Sequence, residues 1–321
     1  MAADHEDRQG AADDPSCRVI LISGFLGAGK TTLLGHILQW PGDLSRTALL
    51  VNEFGKVGID GELLQGFQTP MVELTNGCIC CSLQGEMVKA VEEILTRFPI
   101  TRLLIEATGL ADPFDLLAFL RSSACSSRFS EVKVITVQDA DFWEGRDYFG
   151  PIFFNQIKAA DLLLFNKIDL LPPEDIPQCL EEIREINPTC AIVPTVHCRI
   201  DPEMILTPAL DSESLTTTVH WPSLQTLHGS ADQMGYVSFA FEEERPLESE
   251  CFRRFIETVP PTLYRIKGFA LLQGKRFFLN HVGGKTEWKE LDQPGPTKLA
   301  FVGWQVNEEE IMERLQSCLT G

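Results

Sequence analysis

Two hydrophobic rhythms divide this chain. Over its first 200 residues, short and nearly unbroken apolar runs recur: Val19 to Ile22, Thr47 to Val51, Leu103 to Ile105, Leu162 to Phe165 and Ala191 to Thr195. Stretches with helical spacing separate them. Runs without alternation suit strands buried on both faces, and strand–helix alternation predicts an α/β domain with a doubly wound, mostly parallel sheet. Farther on, Tyr236 to Phe241 alternates like a half-buried strand, and Leu247, Cys251, Phe252, Phe255, Ile256 and Val259 mark one face of a helix. Arg265 to Leu272, Arg276 to Val282 and Lys298 to Val302 read as further strands. A closing helix starts at the capping sequence Asn307 to Glu310 and places Ile311, Leu315 and Leu319 on one side. This half predicts a smaller C-terminal α+β domain.

Between the halves, Pro202, Pro208 and the Ser/Thr-rich run from Ser212 to Thr218 interrupt the pattern. The expected organisation is a tail over 1–16, a first domain over 17–200, a linker over 201–234 and a second domain over 235–321. There are no internal repeats.

The chemistry concentrates at the ends of the apolar runs. After Val19 to Ile22 comes Ser23-Gly24-Phe25-Leu26-Gly27-Ala28-Gly29-Lys30-Thr31-Thr32, then the helix-compatible Leu33 to Leu38. Strand, G-x-x-x-x-G-K-T and helix are the parts of a P-loop, in order. The glycines let successive N–H groups face a phosphate, and the helix N-terminus adds its positive dipole end. Lys30 would reach the β- and γ-phosphates, and the Thr31 hydroxyl would bind Mg²⁺. Gly24, Gly27, Gly29, Lys30, Thr31 and Thr32 are therefore nucleotide-binding candidates.

Leu162 to Phe165 runs into Asn166-Lys167-Ile168-Asp169. A carboxylate at Asp169 can accept from both N1 and N2 of guanine, a donor pair adenine lacks. Asn166 can serve the base and the loop backbone, and the Lys167 stem can lie along the ring. Placed after a P-loop, N-K-x-D makes guanine the favoured base. A third run ends in Glu106-Ala107-Thr108-Gly109. Glu106 can hold Mg²⁺, directly or through water, and the Gly109 N–H can approach a γ-phosphate. The polar stretch Asn52 to Asp60 occupies the place of a first switch. Lys30, Glu106 and Asp60 are the catalytic candidates, with the group that orients the attacking water left open between Glu106 and Asp60.

Asn76-Gly77-Cys78-Ile79-Cys80-Cys81 places three thiols in four residues between these motifs. Thiolates favour Zn²⁺ and related soft ions over Mg²⁺, and three from one segment leave a zinc shell open to a further ligand. An open shell suits transfer better than storage. Redox sensing by vicinal thiols is the competing reading. The other seven cysteines are scattered, as buried small side chains are, and no disulfide framework is expected of a chain this long without a secretory segment.

Taken together, GFLGAGKTT (Gly24 to Thr32), NEFG (Asn52 to Gly55), NGCICCS (Asn76 to Ser82), E-x-x-G-x-A-D-P (Glu106 to Pro113) and N-K-x-D (Asn166 to Asp169) resemble the CobW family of P-loop GTPases, relatives of the urease and hydrogenase accessory GTPases UreG and HypB. The likeness extends through Tyr264 to Gly268 and Leu299 to Gly303. It implies a cytoplasmic GTPase that turns GTP into GDP and phosphate, binds zinc or cobalt, and delivers it to a client metalloprotein or a cobalamin-pathway enzyme. A homodimer is compatible with it. The family often has an acid directly after NEFG, where this chain has Lys56; Glu53 is the carboxylate still available to join Cys78, Cys80 and Cys81 as a metal ligand. The family's histidine-rich tract is missing, since the six histidines are dispersed, with His197 the one nearest the expected guanine loop.

Composition removes other classes. A net charge of −19 argues against nucleic acid as a partner, and no apolar run is long enough to span a membrane. Two alternatives stay open: a P-loop kinase using ATP on a small molecule, and a non-catalytic metal or redox sensor that binds nucleotide.

Overall fold

The computed structural model describes residues 17–52, 71–74, 82–206, 231 and 234–320. The expected tail, the stretches holding Glu53, Lys56, Asp60, Cys78, Cys80 and Cys81, and most of the expected linker lie outside them.

Seven strands form the first sheet: β1 (Cys17–Ser23), β2 (Thr47–Asn52), β3 (Met71–Leu74), β4 (Arg102–Glu106), β5 (Phe129–Asp139), β6 (Leu162–Asn166) and β7 (Ala191–Thr195). Their order is β3-β2-β4-β1-β5-β6-β7, and every pairing is parallel. The strand order reverses around β1, flanked by β4 and β5, and in open α/β sheets such a reversal opens a ligand crevice beyond the strands' C-terminal ends. Burial on both faces explains the unbroken apolar runs: Val19 and Leu21 pack to one side with Val91, Phe114 and Leu117, while Ile20 and Ile22 pack to the other with Leu33, Leu34 and Ile37.

The helices here are α1 (Lys30–Leu38), α2 (Ser82–Arg97), α3 (Pro113–Ser122), α4 (Pro151–Lys158), α5 (Ile176–Ile186) and the short α6 (Glu203–Leu206). Ile205 and Leu206 pack into the core beneath α1, and the Arg18 guanidinium donates to the Leu206 carbonyl at 2.6 Å. Strands β3 and β5 were not among the apolar runs expected to form strands. β3 spans only four residues, and the first half of β5 mixes exposed and buried positions.

The second sheet is antiparallel, in the order β11-β10-β9-β12-β8, with β8 (Tyr236–Glu243), β9 (Arg265–Leu272), β10 (Lys275–Val282), β11 (Lys285–Leu291) and β12 (Thr297–Trp304). Helices α7 (Ser249–Glu257) and α8 (Glu308–Gln316) cover one face, burying Phe239, Ile266, Leu279, Phe301, Phe252 and Leu315 together. The Asn307 side chain caps α8 by accepting from the Glu310 N–H, as its sequence predicts. β11 escapes sequence reading because it is an edge strand with no fully buried residue.

One expectation is corrected. Cys251 and Cys318, taken from sequence as scattered small side chains, are disulfide-bonded. The bridge from Leu247 to Leu319 and the Glu248 N–H donating to the Cys318 carbonyl bring the start of α7 beside the end of α8, a proximity invisible in a spacing of 67 residues. Cys17, Cys125, Cys179 and Cys198 are buried as expected, and burial raises each thiol's pKa.

The uncovered face of the second sheet meets the first domain at the glycine loop. Phe25, Phe149, Phe153, Tyr236, Tyr264 and Val302 share one buried cluster. The Tyr236 hydroxyl donates to the Phe149 carbonyl at 2.7 Å and accepts from the Ile152 N–H at 3.0 Å. Close aromatic packing with the Tyr236 hydroxyl satisfied in both directions makes this interface resemble a core.

Candidate functional site

The loop between β1 and α1 is shaped by its glycines. Gly24 takes φ 135°, and a Cβ there would stand 2.1 Å from the Val137 carbonyl oxygen of β5. Gly29 takes φ 117° as the residue before α1, where a Cβ would meet Asn166 Nδ2 at 2.7 Å and Cys198 Sγ at 2.8 Å. A side chain at Gly24 would run into backbone, and one at Gly29 would have to displace the ends of Asn166 and Cys198 from a left-handed position. The first turn of α1 then closes with Leu33 N–H on the Gly29 carbonyl at 2.9 Å. Lys30 is buried and its amine donates to the Gly24 and Phe25 carbonyls at 2.8 and 2.9 Å, so the cation is held along the loop. Gly27 is exposed at the loop's crown, and Thr32 is exposed on α1.

The Thr31 hydroxyl donates to Glu106 Oε1 at 3.1 Å, joining α1 to the end of β4 across 75 residues of sequence. A hydroxyl and a carboxylate beside a phosphate-type loop are hard oxygen donors and fit Mg²⁺. Just beyond, the Gly109 carbonyl accepts from Gln156 Nε2 at 3.1 Å. Asp112 caps α3, accepting from the Phe114 N–H at 2.9 Å and from Asn155 Nδ2 at 2.7 Å, with Pro113 opening the helix. The acid of the D-P pair is thus a structural cap.

A second cluster forms at the ends of β5, β6 and β7. Asn166 donates from Nδ2 to the Ala28 carbonyl at 2.9 Å and accepts at Oδ1 from the Cys198 N–H at 2.8 Å and the Thr195 hydroxyl at 3.1 Å. One amide therefore ties the glycine loop to the segment after β7. Lys167 sits in the left-handed region at φ 63°, and its amine pairs with Asp139 Oδ2 at 2.6 Å. Burial pushes the Asp139 carboxyl above its ordinary range, opposed by the Lys167 ammonium. Asp169 is exposed in the turn after β6. His197 contributes its carbonyl, which meets His36 Nε2 at 2.9 Å. Burial pushes the Cys198 thiol up to about 12, and its Sγ lies 3.4 Å from the Gly29 carbonyl, so it packs as a neutral thiol.

Between the glycine loop with its Thr31–Glu106 contact and the second sheet lies a cleft of about 290 Å³. Its floor is the glycine loop with Lys30, Thr31 and Thr32; one wall is Glu106 to Gly109 and another is Val51. Its roof comes from the second sheet, as Arg265, Lys267, Asn280 and Val282.

The structure brings together Gly27, Gly29, Lys30, Thr31, Thr32, Glu106 and Gly109 around the cleft, with Gly24 at the buried start of the loop, Asn166 bonded to the loop at Ala28, and Lys167 and Asp169 in the turn that follows Asn166. Glu53, Asp60, Cys78, Cys80 and Cys81 lie outside the described residues, and among the described residues no group of three or more His, Cys, Asp or Glu is placed to hold a metal. Asp139 is missed by sequence reasoning, although an acid ending a strand level with Asn166 is a readable signal. Arg265 and Lys267 carry no such signal, because their approach to the cleft depends on how the two sheets dock.

Two family models divide the chain. The CobW/HypB/UreG nucleotide-binding domain matches residues 18–194, and the cobalamin synthesis protein cobW C-terminal domain matches residues 236–319. The zinc chaperone CobW of Pseudomonas aeruginosa is 28% identical over 348 aligned positions, covering 94% of this chain and 91% of its own. The zinc chaperone YjiA of Escherichia coli is 29% identical over 313 positions, covering 91% of this chain and 96% of its own. The crystal structure of Zn(II)-bound YjiA GTPase from E. coli is 22% identical, with 95% of this chain and 99% of that one covered and a TM-score of 0.44. No helix among the described residues is long and apolar enough to cross a membrane.

Proposed function

Since the chain belongs to the CobW family of P-loop proteins, we propose that it is a GTP-hydrolysing metallochaperone that carries a transition metal on Cys78, Cys80 and Cys81 and passes it to a client protein. The observation that carries the nucleotide half is the 3.1 Å contact of Thr31 with Glu106 directly above the Lys30 loop. It sets two hard oxygen donors and a cation around one small volume, as phosphoryl transfer requires.

GTP would lay its β- and γ-phosphates on the N–H groups of the loop and on the start of α1, with Lys30 exchanging the Gly24 and Phe25 carbonyls for phosphate oxygens. Thr31 and Glu106 would hold Mg²⁺, which supplies charge neutralisation across the phosphates. Asp169, exposed in the turn after β6, would accept from N1 and N2 of guanine. The Lys167 ammonium, fixed by Asp139, would steady its own stem against the ring, and Asn166 would keep the base side and the phosphate side in register through the Ala28 carbonyl. Glu106 and Asp60 are the candidates for orienting the attacking water.

The metal half rests on the thiol chemistry and on the relatives. Both CobW of P. aeruginosa and YjiA of E. coli are named zinc chaperones, which favours zinc over cobalt as the cargo here. The cysteine segment is bracketed by the end of β3 at Leu74 and the start of α2 at Ser82. β3 runs parallel to β2 and β4, and its C-terminal end lies at the sheet edge where Glu106 also sits. Nucleotide and cargo would therefore share one edge of the sheet, and linkage makes their affinities reciprocal.

Zinc titration of the full chain in the presence of a non-hydrolysable GTP analogue and of GDP tests this, with Cys80→Ser and Lys30→Ala as variants. Tighter zinc binding with the analogue, lost in Cys80→Ser, is the expected result. Equal zinc affinity in both nucleotide states would remove the switch, and unchanged affinity in Cys80→Ser would remove the thiol site.

A further inference from the structure

The cleft is closed by the second domain, and the residues that close it are cationic. We infer that Arg265 and Lys267 bind the γ-phosphate and that Arg265 is a catalytic residue of the hydrolysis, supplied within the same chain. The inference rests on the nucleotide reading of the cleft and names what its roof does.

Three observations fix the placement. First, β9 and β10 pair so that Arg265 lies opposite Val282 and Lys267 opposite Asn280. Directly paired residues in an antiparallel sheet point to the same face. These four therefore share one face, while Ile266 between them turns into the core under α7 and α8. Second, that face rests on the glycine loop: a Cβ on Gly27 would stand 3.1 Å from Val282 Cγ1, and the Phe25 ring lies 5.0 Å from the ring of Tyr264, the residue before Arg265. Third, the cleft that Arg265 and Lys267 line has Lys30, Thr31, Glu106 and Gly109 in its other walls, whereas Asn166, Lys167 and Asp169 line none of it. The roof thus covers the phosphate end of the site and leaves the base end alone.

Charge supports the same assignment. The chain carries 46 acids against 27 lysines and arginines, yet the second sheet contributes two cations and no acid to the lining of this cleft. An anion-binding cleft calls for that selection, and a merely solvated face in so acidic a protein would rarely provide it. Gly268 has its own reason to follow Lys267. At φ 148°, a Cβ there would stand 2.0 Å from the Lys298 carbonyl oxygen, so glycine lets β12 close against β9 and keeps the two cations in position.

In the reaction, a water oxygen bonds to the γ-phosphorus as the bond to the β–γ bridging oxygen breaks, giving GDP, inorganic phosphate and one proton. Charge spreads over the γ-oxygens and the bridging oxygen on the way, and a guanidinium facing them lowers the barrier. Lys267, a compact cation, adds affinity for the triphosphate. Because the sheet already rests on the loop through Phe25 and Tyr264, both cations stand ready over the cleft, and loss of the γ-phosphate removes their ligand without undocking the sheet.

The experiment uses the full chain and fluorescent GDP and non-hydrolysable GTP analogues, with single-turnover hydrolysis alongside. In Arg265→Ala we expect about a 10³-fold fall in hydrolysis rate, and roughly tenfold weaker binding of the triphosphate analogue with GDP binding within twofold. Arg265→Lys should restore the affinity difference and leave the rate low, since a point charge does not replace the planar fork. Lys267→Ala should weaken the triphosphate alone. Unchanged rate and unchanged triphosphate preference in Arg265→Ala and Lys267→Ala would overturn the inference, as would equal losses for both nucleotides. If Arg265→Ala melts early, Arg265→Lys and Lys267→Ala decide by the same criteria. Lys30→Ala separates the levels. Failure of the unmodified chain to bind guanine nucleotides would remove the site and the inference together, while binding that depends on Lys30 and ignores Arg265 and Lys267 would remove the inference alone.

Discussion

The ring of Phe25, the residue after the first glycine of the loop, lies 5.0 Å from the ring of Tyr264, which leads into the strand carrying Arg265 and Lys267. The two come from different domains and are both buried, and Phe149 packs against each of them. The phosphate loop of this protein is therefore packed against its C-terminal sheet before any nucleotide arrives.

Tyr264→Ala should cost about 3–5 kcal/mol, the usual range for truncating a buried aromatic. The loss falls at the joint between domains, so calorimetry should show one transition separating into two, and triphosphate affinity should drop although Tyr264 does not line the cleft. A single transition shifted by less than about 1 kcal/mol would mean that the domains do not lean on this contact.

Gly24→Ala and Gly29→Ala should differ in kind. The Gly24 Cβ would meet the backbone oxygen of Val137 at 2.1 Å, and a strand backbone cannot yield, so this variant should fail to accumulate as folded protein. The Gly29 Cβ would meet the ends of Asn166 and Cys198, which can swing aside at the cost of the Asn166 hydrogen bonds. That variant should fold and lose nucleotide binding. Soluble yield and an equilibrium binding assay distinguish the two.

Asp169→Asn should weaken guanine nucleotides by about 1.5–3 kcal/mol, roughly 10- to 150-fold, by removing a charged acceptor for two N–H donors. It should improve binding of xanthine nucleotides, whose C2 oxygen can accept from the new amide. Competition of GTP and XTP for one fluorescent probe measures both effects, and equal losses for the two bases would dissociate Asp169 from the base.

Acidification should loosen the C-terminal sheet. His281 is 3% exposed with Nδ1 2.8 Å from the Thr286 hydroxyl, and burial holds its pKa below the ordinary 6.5. Between that lowered value and 6.5 the unfolded chain binds a proton that the folded chain does not, so stability falls as pH drops through this window. The melting temperature should decline from pH 7.5 to 5.5, and His281→Gln should flatten that part of the curve. Carboxylates with lowered pKa, such as Glu243, act below this range and leave it clear.

Much of the first domain is legible in its sequence because a parallel strand buried on both faces has little choice of residue. β1, β4 and β6 follow from their apolar runs, and the loop after β1 follows from glycines at positive φ, which side-chain-bearing residues rarely adopt. β11 is illegible because an exposed edge needs no apolar side. Asp139 is half legible, since an acid at a strand end is a common sight until Lys167 is found paired with it. The Cys251–Cys318 bond was not readable, because its two ends meet only after α7 and α8 have packed side by side.

By itself the sequence determined the local machinery: strand, phosphate loop, Thr31 and Glu106 at their respective element ends, and the N-K-x-D turn. Each is set by neighbours in the chain, where backbone conformation and hydrogen-bonding capacity act at short range. Only the tertiary structure decided that Thr31 meets Glu106, that Asn166 braces Ala28, and that Arg265 and Lys267 roof the cleft over the glycine loop. Those contacts join segments 75, 138 and more than 230 residues apart, and they depend on which faces two sheets bury against each other. Side-chain periodicity tells which face a residue occupies; docking tells what that face touches.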